Sequence, residues 1–202
     1  ITVCSLLAIN TSNQAMANDH ANSSLGHSAA SQSAQSSSDA QMLIAASAAN
    51  RFSVIKQLVN DGVDIDTPAI GDGTALMIAI GKGNSDMVDN LLSLGANVNA
   101  SSPGDGNPLI LASKLGDLSL VKKLISQGAI VDQQVKGDET PLINASSQGE
   151  LAVVKYLVNQ GADVNLAVEA TTRSGTEMRS PLSQASSRQV REYLINQGAI
   201  EL

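Results

Sequence analysis

Glycines recur every 33 residues along most of this 202-residue chain, at Gly62, Gly95, Gly128 and Gly161. The same interval separates Gly71, Gly104 and Gly137, and also Leu76, Leu109 and Leu142. Val88, Val121 and Val154 keep it, as do Leu91, Leu124 and Leu157. So many independent columns on one period require a chain of repeated units. A unit of that size cannot bury its own apolar side, so each must stack on its neighbours.

Within a unit, Thr74, Asn107, Thr140 and Ser180 stand where a side-chain oxygen caps a first helix. Pro108, Pro141 and Pro181 follow at the first helical position, with Ala75 in their place in the first full unit. That helix runs to Gly83, Gly116 or Gly149. A second helix carries Val88, Leu91 and Leu92, or Val121, Leu124 and Ile125, at helical spacing. It stops at Gly95, Gly128 or Gly161, where a left-handed residue ends a helix. The following "GANVN", "GAIVD" and "GADVN" place Asn or Asp to bond its own backbone in a turn.

The unit "GDETPLINASSQGELAVVKYLVNQGADVN", residues 137–165, with its T-P-L start and G-A-D-V-N end, resembles an ankyrin repeat. The resemblance covers the chain from about Asp39 to its end. It implies an all-α solenoid of helix-turn-helix units with β-hairpin fingers, and a concave face that binds a protein. The histidine that follows T-P-L in the family, and ties units together there, is replaced by Met77, Ile110, Ile143 and Ser183. Packing has to take over its role. The flavour of "GDGNPLI" and "GDETPLI" is also similar to ankyrin tails of antirepressor-type bacterial membrane metallopeptidases. That likeness implies an alternative role as a regulatory or sensory tail.

Five units are expected: an N-terminal cap at 39–69 with Ser38 or Asp39 as helix cap, full units at 70–102, 103–135 and 136–168, and a C-terminal cap at 180–202. Leu142 to Leu182 spans 40 residues, an insertion within about Ala167–Arg179 that carries Glu169, Arg173, Glu177 and Arg179. This insertion reads equally as a tolerated surface loop and as a contact loop. Ser187-Arg188-Gln189 marks a shortened turn and a truncated first helix in the last unit. Residues 18–38 form a Ser/Ala/Gln/Asn tract without periodicity, expected to be a flexible tether. His20 and His27 lie in it as solvated side chains, and Asn22-Ser23-Ser24 is a glycosylation pattern of low specificity.

Residues 1–17 read as the apolar core of a leader peptide, with Ala15-Met16-Ala17 as its cleavage site. The other reading is the end of a membrane helix. Either places the repeats outside the cytoplasm, periplasmic or secreted, or as the extracytoplasmic domain of a membrane protein. Membrane association is expected only if residues 1–17 are retained. Cys4, the single cysteine, can form neither an intramolecular disulfide nor a cysteine zinc site, and its flanks suit a lipid anchor poorly.

The totals and motifs exclude several chemistries. A formal net charge of −7 repels phosphate backbones, and Phe52, Tyr156 and Tyr193 are too few to stack bases. Gly81-Lys82-Gly83 lacks the preceding glycine and following Ser/Thr of a phosphate loop, since Leu76 stands at the glycine position. Gly71-Asp72-Gly73 lacks the third glycine of a dinucleotide fingerprint. The periodic Asp72, Asp105 and Asp138 sit on neighbouring finger tips and read as Asx turn residues, not as a calcium ladder. With no His or Cys in the repeats and scattered carboxylates, no enzyme, cofactor, metal or small-molecule substrate is expected. The expected partner is an unidentified protein, bound by a monomer. Its candidate contacts are Ile70, Gly73 and Lys82, then Pro103, Gly106 and Lys114, then Lys136, Glu139 and Gln148, with the tip residues Asp72, Asp105 and Asp138.

Overall fold

The structure is a computed structural model that describes residues 27–69, 71–172 and 175–201. The leader residues 1–17, Cys4, His20, the Asn22-Ser23-Ser24 pattern, Ile70 and Arg173 lie outside the described residues. The chain divides into Ile1–Ala34 and Gln35–Leu202. Of the first, residues 27–34 are helical, as the start of α1 (His27–Ala48). No Gly or Pro interrupts His27–Ala48, so the helix runs through part of the tract assigned to a tether. Neither Ser38 nor Asp39 therefore stands at a helix start.

From Gln35 onward the chain is a stack of antiparallel helix pairs. The elements after α1 are α2 (Phe52–Asn60), α3 (Ala75–Gly81), α4 (Ser85–Ser93), α5 (Pro108–Lys114), α6 (Leu118–Ser126), α7 (Pro141–Gln148) and α8 (Leu151–Asn159). A two-stranded hairpin, β1 (Val168–Thr172) and β2 (Gly175–Arg179), precedes α9 (Arg188–Asn196). Thr74, Asn107 and Thr140 accept from the amides of Met77, Ile110 and Ile143 at 3.4, 2.8 and 3.2 Å. These caps satisfy amides that would otherwise be orphaned at each helix start. The second helices close in Schellman fashion: in the first full unit Ala96 donates to Leu91 and Gly95 to Leu92, each at 3.0 Å.

The core is one column per position. Leu43, Leu76, Leu109, Leu142 and Leu182 are essentially fully buried, one from each unit. Ala46, Ala79, Ala112 and Ala145 accompany them, and these small side chains let the first helices approach closely. α5 accordingly packs on both α3 and α7, while α8 packs on α6 and α9. Val88, Val121, Val154, Leu91, Leu124 and Leu157 seal the second helices from beneath.

Two further sets of contacts tie each unit to the next. The first is a ladder of Asx side chains at the ends of the "GANVN"-type segments. Asp66, Asn99, Asp132 and Asn165 accept from the backbone amides of Asn97, Ile130, Asp163 and Ile200, all at 2.9 Å. Asn99 and Asn165 also donate to the carbonyls of Gly128 and Gly198, at 3.0 and 3.1 Å. Asn97 and Asp163 bond the backbone two residues on, as expected, through Asn99 and Asn165, and Asp64 does so through Asp66; in "GAIVD" Ile130 stands at that position, and Asp132 serves the next unit instead. The second set lies along the outer helices: Lys123 pairs with Asp89 at 2.6 Å, and Lys122 and Lys155 sit 5.6 Å from the ring centroids of Tyr156 and Tyr193.

The last unit departs from the others. Pro181–Gln184 form a turn and no helix: Ser180 caps it as in the other units, accepting from the Ser183 amide at 3.1 Å, but Ser180 to Gly198 spans 18 residues where Thr140 to Gly161 spans 21, which leaves one turn before the second helix. Ser186 docks this turn on the preceding unit, its amide donating to the Ser146 carbonyl at 3.1 Å.

The ladder predicts where the fold can be improved. Asp132 leaves its buried Oδ1 without a donor, and an aspartate cannot give the bond that Asn99 and Asn165 give. Asp132→Asn should raise stability by about 0.5–1.5 kcal/mol in urea unfolding. Burial raises the Asp66 carboxyl above its ordinary 3.8; the Asn97 amide opposes this and Asp64 adds to it. A raised folded value means that protonation favours the fold in acid and that this support is lost as pH rises through that value. The gain from Asp66→Asn should therefore be present near neutral pH, shrink as pH falls through the raised value, and have disappeared below the ordinary 3.8. A gain that grew in acid would contradict the assignment.

Candidate functional site

The fingers and first helices bound two adjoining grooves. One, of about 440 Å³, is lined by Gly71, Asp72, Met77, Ile78, Gly81, Lys82, Gly104, Asp105, Leu111 and Lys114. The other, of about 260 Å³, is lined by Gly104, Asp105, Ile110, Leu111, Lys114, Gly137, Asp138, Glu139 and Asn144. Leu111 and Lys114 belong to both, so the grooves meet on α5.

Glycine determines how the fingers are built. Gly73 and Gly106 hold φ of +72° and +78°, and each closes a β-bridge, to Ala69 and Ser102. Any Cβ at Gly73 would come within 2.9 Å of Met77, and at Gly106 within 3.1 Å of Ile110. At the same register the third finger has Glu139, which does not take a positive φ, and no such bridge forms among the described residues. Its side chain instead reaches Arg179 at the base of the hairpin, 2.6 Å away. Arg179 also holds Glu177 at 2.7 Å, and these bonds raise its pKa above the ordinary value.

The Asp residues of the tips differ from one another. Asp138 bonds the neighbouring finger and not its own turn: Oδ2 accepts from the amides of Gly104 and Gly106 at 3.0 and 3.1 Å. Burial raises its pKa, the two amides lower it, Asp105 raises it and Lys114 lowers it. Asp105 accepts from the Ser102 hydroxyl at 2.8 Å, within its own finger. Asp72 is exposed at the first tip. The Asx-turn reading is thus corrected at two tips: Asp105 takes a serine hydroxyl and no turn amide, and Asp138 takes the glycine amides of the neighbouring finger.

The remaining candidates fall into place by position. Lys82 and Lys114 flank the larger groove, although they are one residue out of register: exposed Leu115 holds the position of Lys82. Lys136 is exposed on the third finger. Pro103 lines a small cleft of about 230 Å³ with Pro68, Ala69, Gly71 and Ser102, between the first two fingers. Gln148 is exposed at the end of α7, with its amide on Ser147 Oγ at 3.4 Å, and lines neither of the two grooves. Sequence reasoning missed Met77, Ile78, Leu111 and Asn144, which form the floor. Half-burial of Ile78 and Leu111 identifies them, a signal of the structure and not of the sequence.

A family model described as "Ankyrin repeats (3 copies)" matches residues 12–102, 76–168 and 109–201. The chain is an ankyrin repeat protein. No curated protein matches it. Ankyrin repeats are generally protein–protein interaction modules. In this ankyrin chain the third finger and the inserted hairpin are joined by Glu139 and Arg179, so the insertion is attached to the grooved face.

That attachment is testable. Glu139→Ala should raise amide exchange across Val168–Thr172 and Gly175–Arg179, since a lone two-stranded hairpin is marginal in water. Exchange in α5 and α6 should not change. Unaltered hairpin exchange would show that the ion pair does not hold it.

Proposed function

We propose that this ankyrin protein is a non-catalytic module that binds a segment of another protein in the groove across α3, α5 and the three fingers. One observation carries the reading: the two adjoining grooves meet over half-buried Leu111, which half-buried Ile78 extends in the larger one, and polar groups edge both. Such a floor with a polar edge is the form of a peptide-binding surface. The aromatic and arginine anchors that dominate tight interfaces are absent from the groove lining, which supports a modest affinity. The apolar run of residues 1–9 and Ala15-Met16-Ala17 support an exported location for the module. The alternative, an extracytoplasmic regulatory tail of a membrane metallopeptidase, is distinguished by its upstream coding sequence: an HExxH motif belongs to it, and a short basic leader to export.

The groove is tested with the purified chain as bait on envelope extract. Leu111→Arg, placed in the floor, should abolish retention of the partner, while Asp86→Arg on the exposed side of α4 should not. Circular dichroism of both variants should show unchanged helix. Retention that survives Leu111→Arg and fails with Asp86→Arg would move the site to the outer helices.

A further inference from the structure

Asn144 stands in the register of Ile78 and Leu111, at the same 33-residue interval, so the column flooring the grooves ends on α7 in an amide. Asn144 is only 8% exposed. Its Nδ2 donates to the carbonyls of Glu139 and Thr140 at 3.3 and 3.2 Å, and only the nitrogen end of an amide can meet two carbonyls. Oδ1 takes no donor from the described residues and is not enclosed, so it opens on the smaller groove that Asn144 lines. Two more acceptors share this groove. Asp138 commits Oδ2 to the Gly104 and Gly106 amides, and Asp105 commits Oδ2 to the Ser102 hydroxyl. The other oxygen of each takes no donor among the described residues. Asp105, Asp138 and Glu139 face a single lysine in this lining, Lys114, whose charge already acts on Asp138. Arg179 reaches in only to hold Glu139. This end of the groove is short of donors and of positive charge.

We infer that the groove takes an extended segment with apolar side chains over Ile78 and Leu111 followed by an arginine, whose guanidinium donates to Asn144 Oδ1 and the Asp138 carboxylate. The inference rests on the groove reading above and adds the chemistry of the partner. A guanidinium suits separate acceptors because its N–H groups fan out in one plane, where a lysine is a point charge. Its charge also relieves the repulsion between Asp105 and Asp138. An acidic segment would add to that repulsion, and a neutral amide would leave it in place. The net charge of −7 adds long-range attraction for a basic segment. Successive helices in such a stack lie about 10 Å apart. In an extended chain, side chains two residues apart share a side and lie about 6.6 Å apart. An arginine two residues after the side chain over Leu111 spans the rest with its stem, as in Leu-Ser-Leu-Ser-Arg.

The test uses the full chain and fluorescence anisotropy with four labelled, C-terminally amidated peptides: Leu-Ser-Leu-Ser-Arg, its Gln-ended and Glu-ended counterparts, and Ser-Ser-Ser-Ser-Arg. The first should bind about tenfold or more tighter than the Glu-ended peptide and the serine peptide, with the Gln-ended one between. Asp138→Asn keeps an acceptor for the two glycine amides and removes the charge. It should weaken the arginine peptide about fivefold or more and leave the Gln-ended one nearly unchanged. Asn144→Leu gives α7 the apolar residue that α3 and α5 carry at this register, and should weaken the arginine peptide to a similar degree. Circular dichroism should show unchanged helix in both variants. Equal binding of the Gln-ended or Glu-ended peptide, no binding of the arginine peptide, or indifference to both variants would overturn the proposal. Equal binding of the serine peptide would do so too, by showing only a general attraction of cations to an acidic chain. If Leu111→Arg abolishes retention of the natural partner while Asp138→Asn and Asn144→Leu keep it, the groove stands and its arginine specificity falls. If all three variants keep it, both fall.

Discussion

Everything in this structure depends on burial between neighbouring units. No single helix pair encloses its own apolar surface: the leucine column from Leu43 to Leu182 is dry because each unit covers the next. Small alanines beside it bring the first helices together, and polar contacts at the loop ends and along the outer helices keep the stack in register. The same geometry accounts for the grooves. First helices and fingers are held at regular spacing, with their outer sides left uncovered.

The ladder adds hydrogen bonds between units to the packing of the core. An asparagine side chain presents an acceptor and a donor in one plane, so Asn99 can accept from the Ile130 amide and donate to the Gly128 carbonyl. Aspartate at the alternate positions accepts only, and Asp132 is left with a buried oxygen unpaired. The interface is therefore satisfied unevenly along its length. Glu139 shows a related substitution at the fingers: losing glycine there forfeits the β-bridge but supplies the ligand that receives Arg179.

Much of the repeat was legible in the sequence, because the residues that end helices and line the core repeat at a fixed interval. Thr74, Asn107 and Thr140 cap as their positions require, and the second helices stop at the periodic glycines. The parts that were not legible are those where a side chain acts outside its own unit. Asp138 reads locally as a turn residue, yet its carboxylate serves the preceding finger. Ile78 and Leu111 were not singled out in the sequence, and only the stacked helices show them half open on the groove. The upstream extension of α1 escaped for a different reason: a Ser-, Ala- and Gln-rich segment carries no periodicity, whether or not it is helical.

Residue-resolved hydrogen exchange on the intact protein tests this account most directly. Stability passed from neighbour to neighbour predicts the slowest exchange in α5, α6 and α7, which are covered on both sides, and faster exchange toward α2 and α9. Fast exchange in α5 to α7 beneath a slow α2 or α9 would contradict it, and would place the stabilising core at an end of the stack.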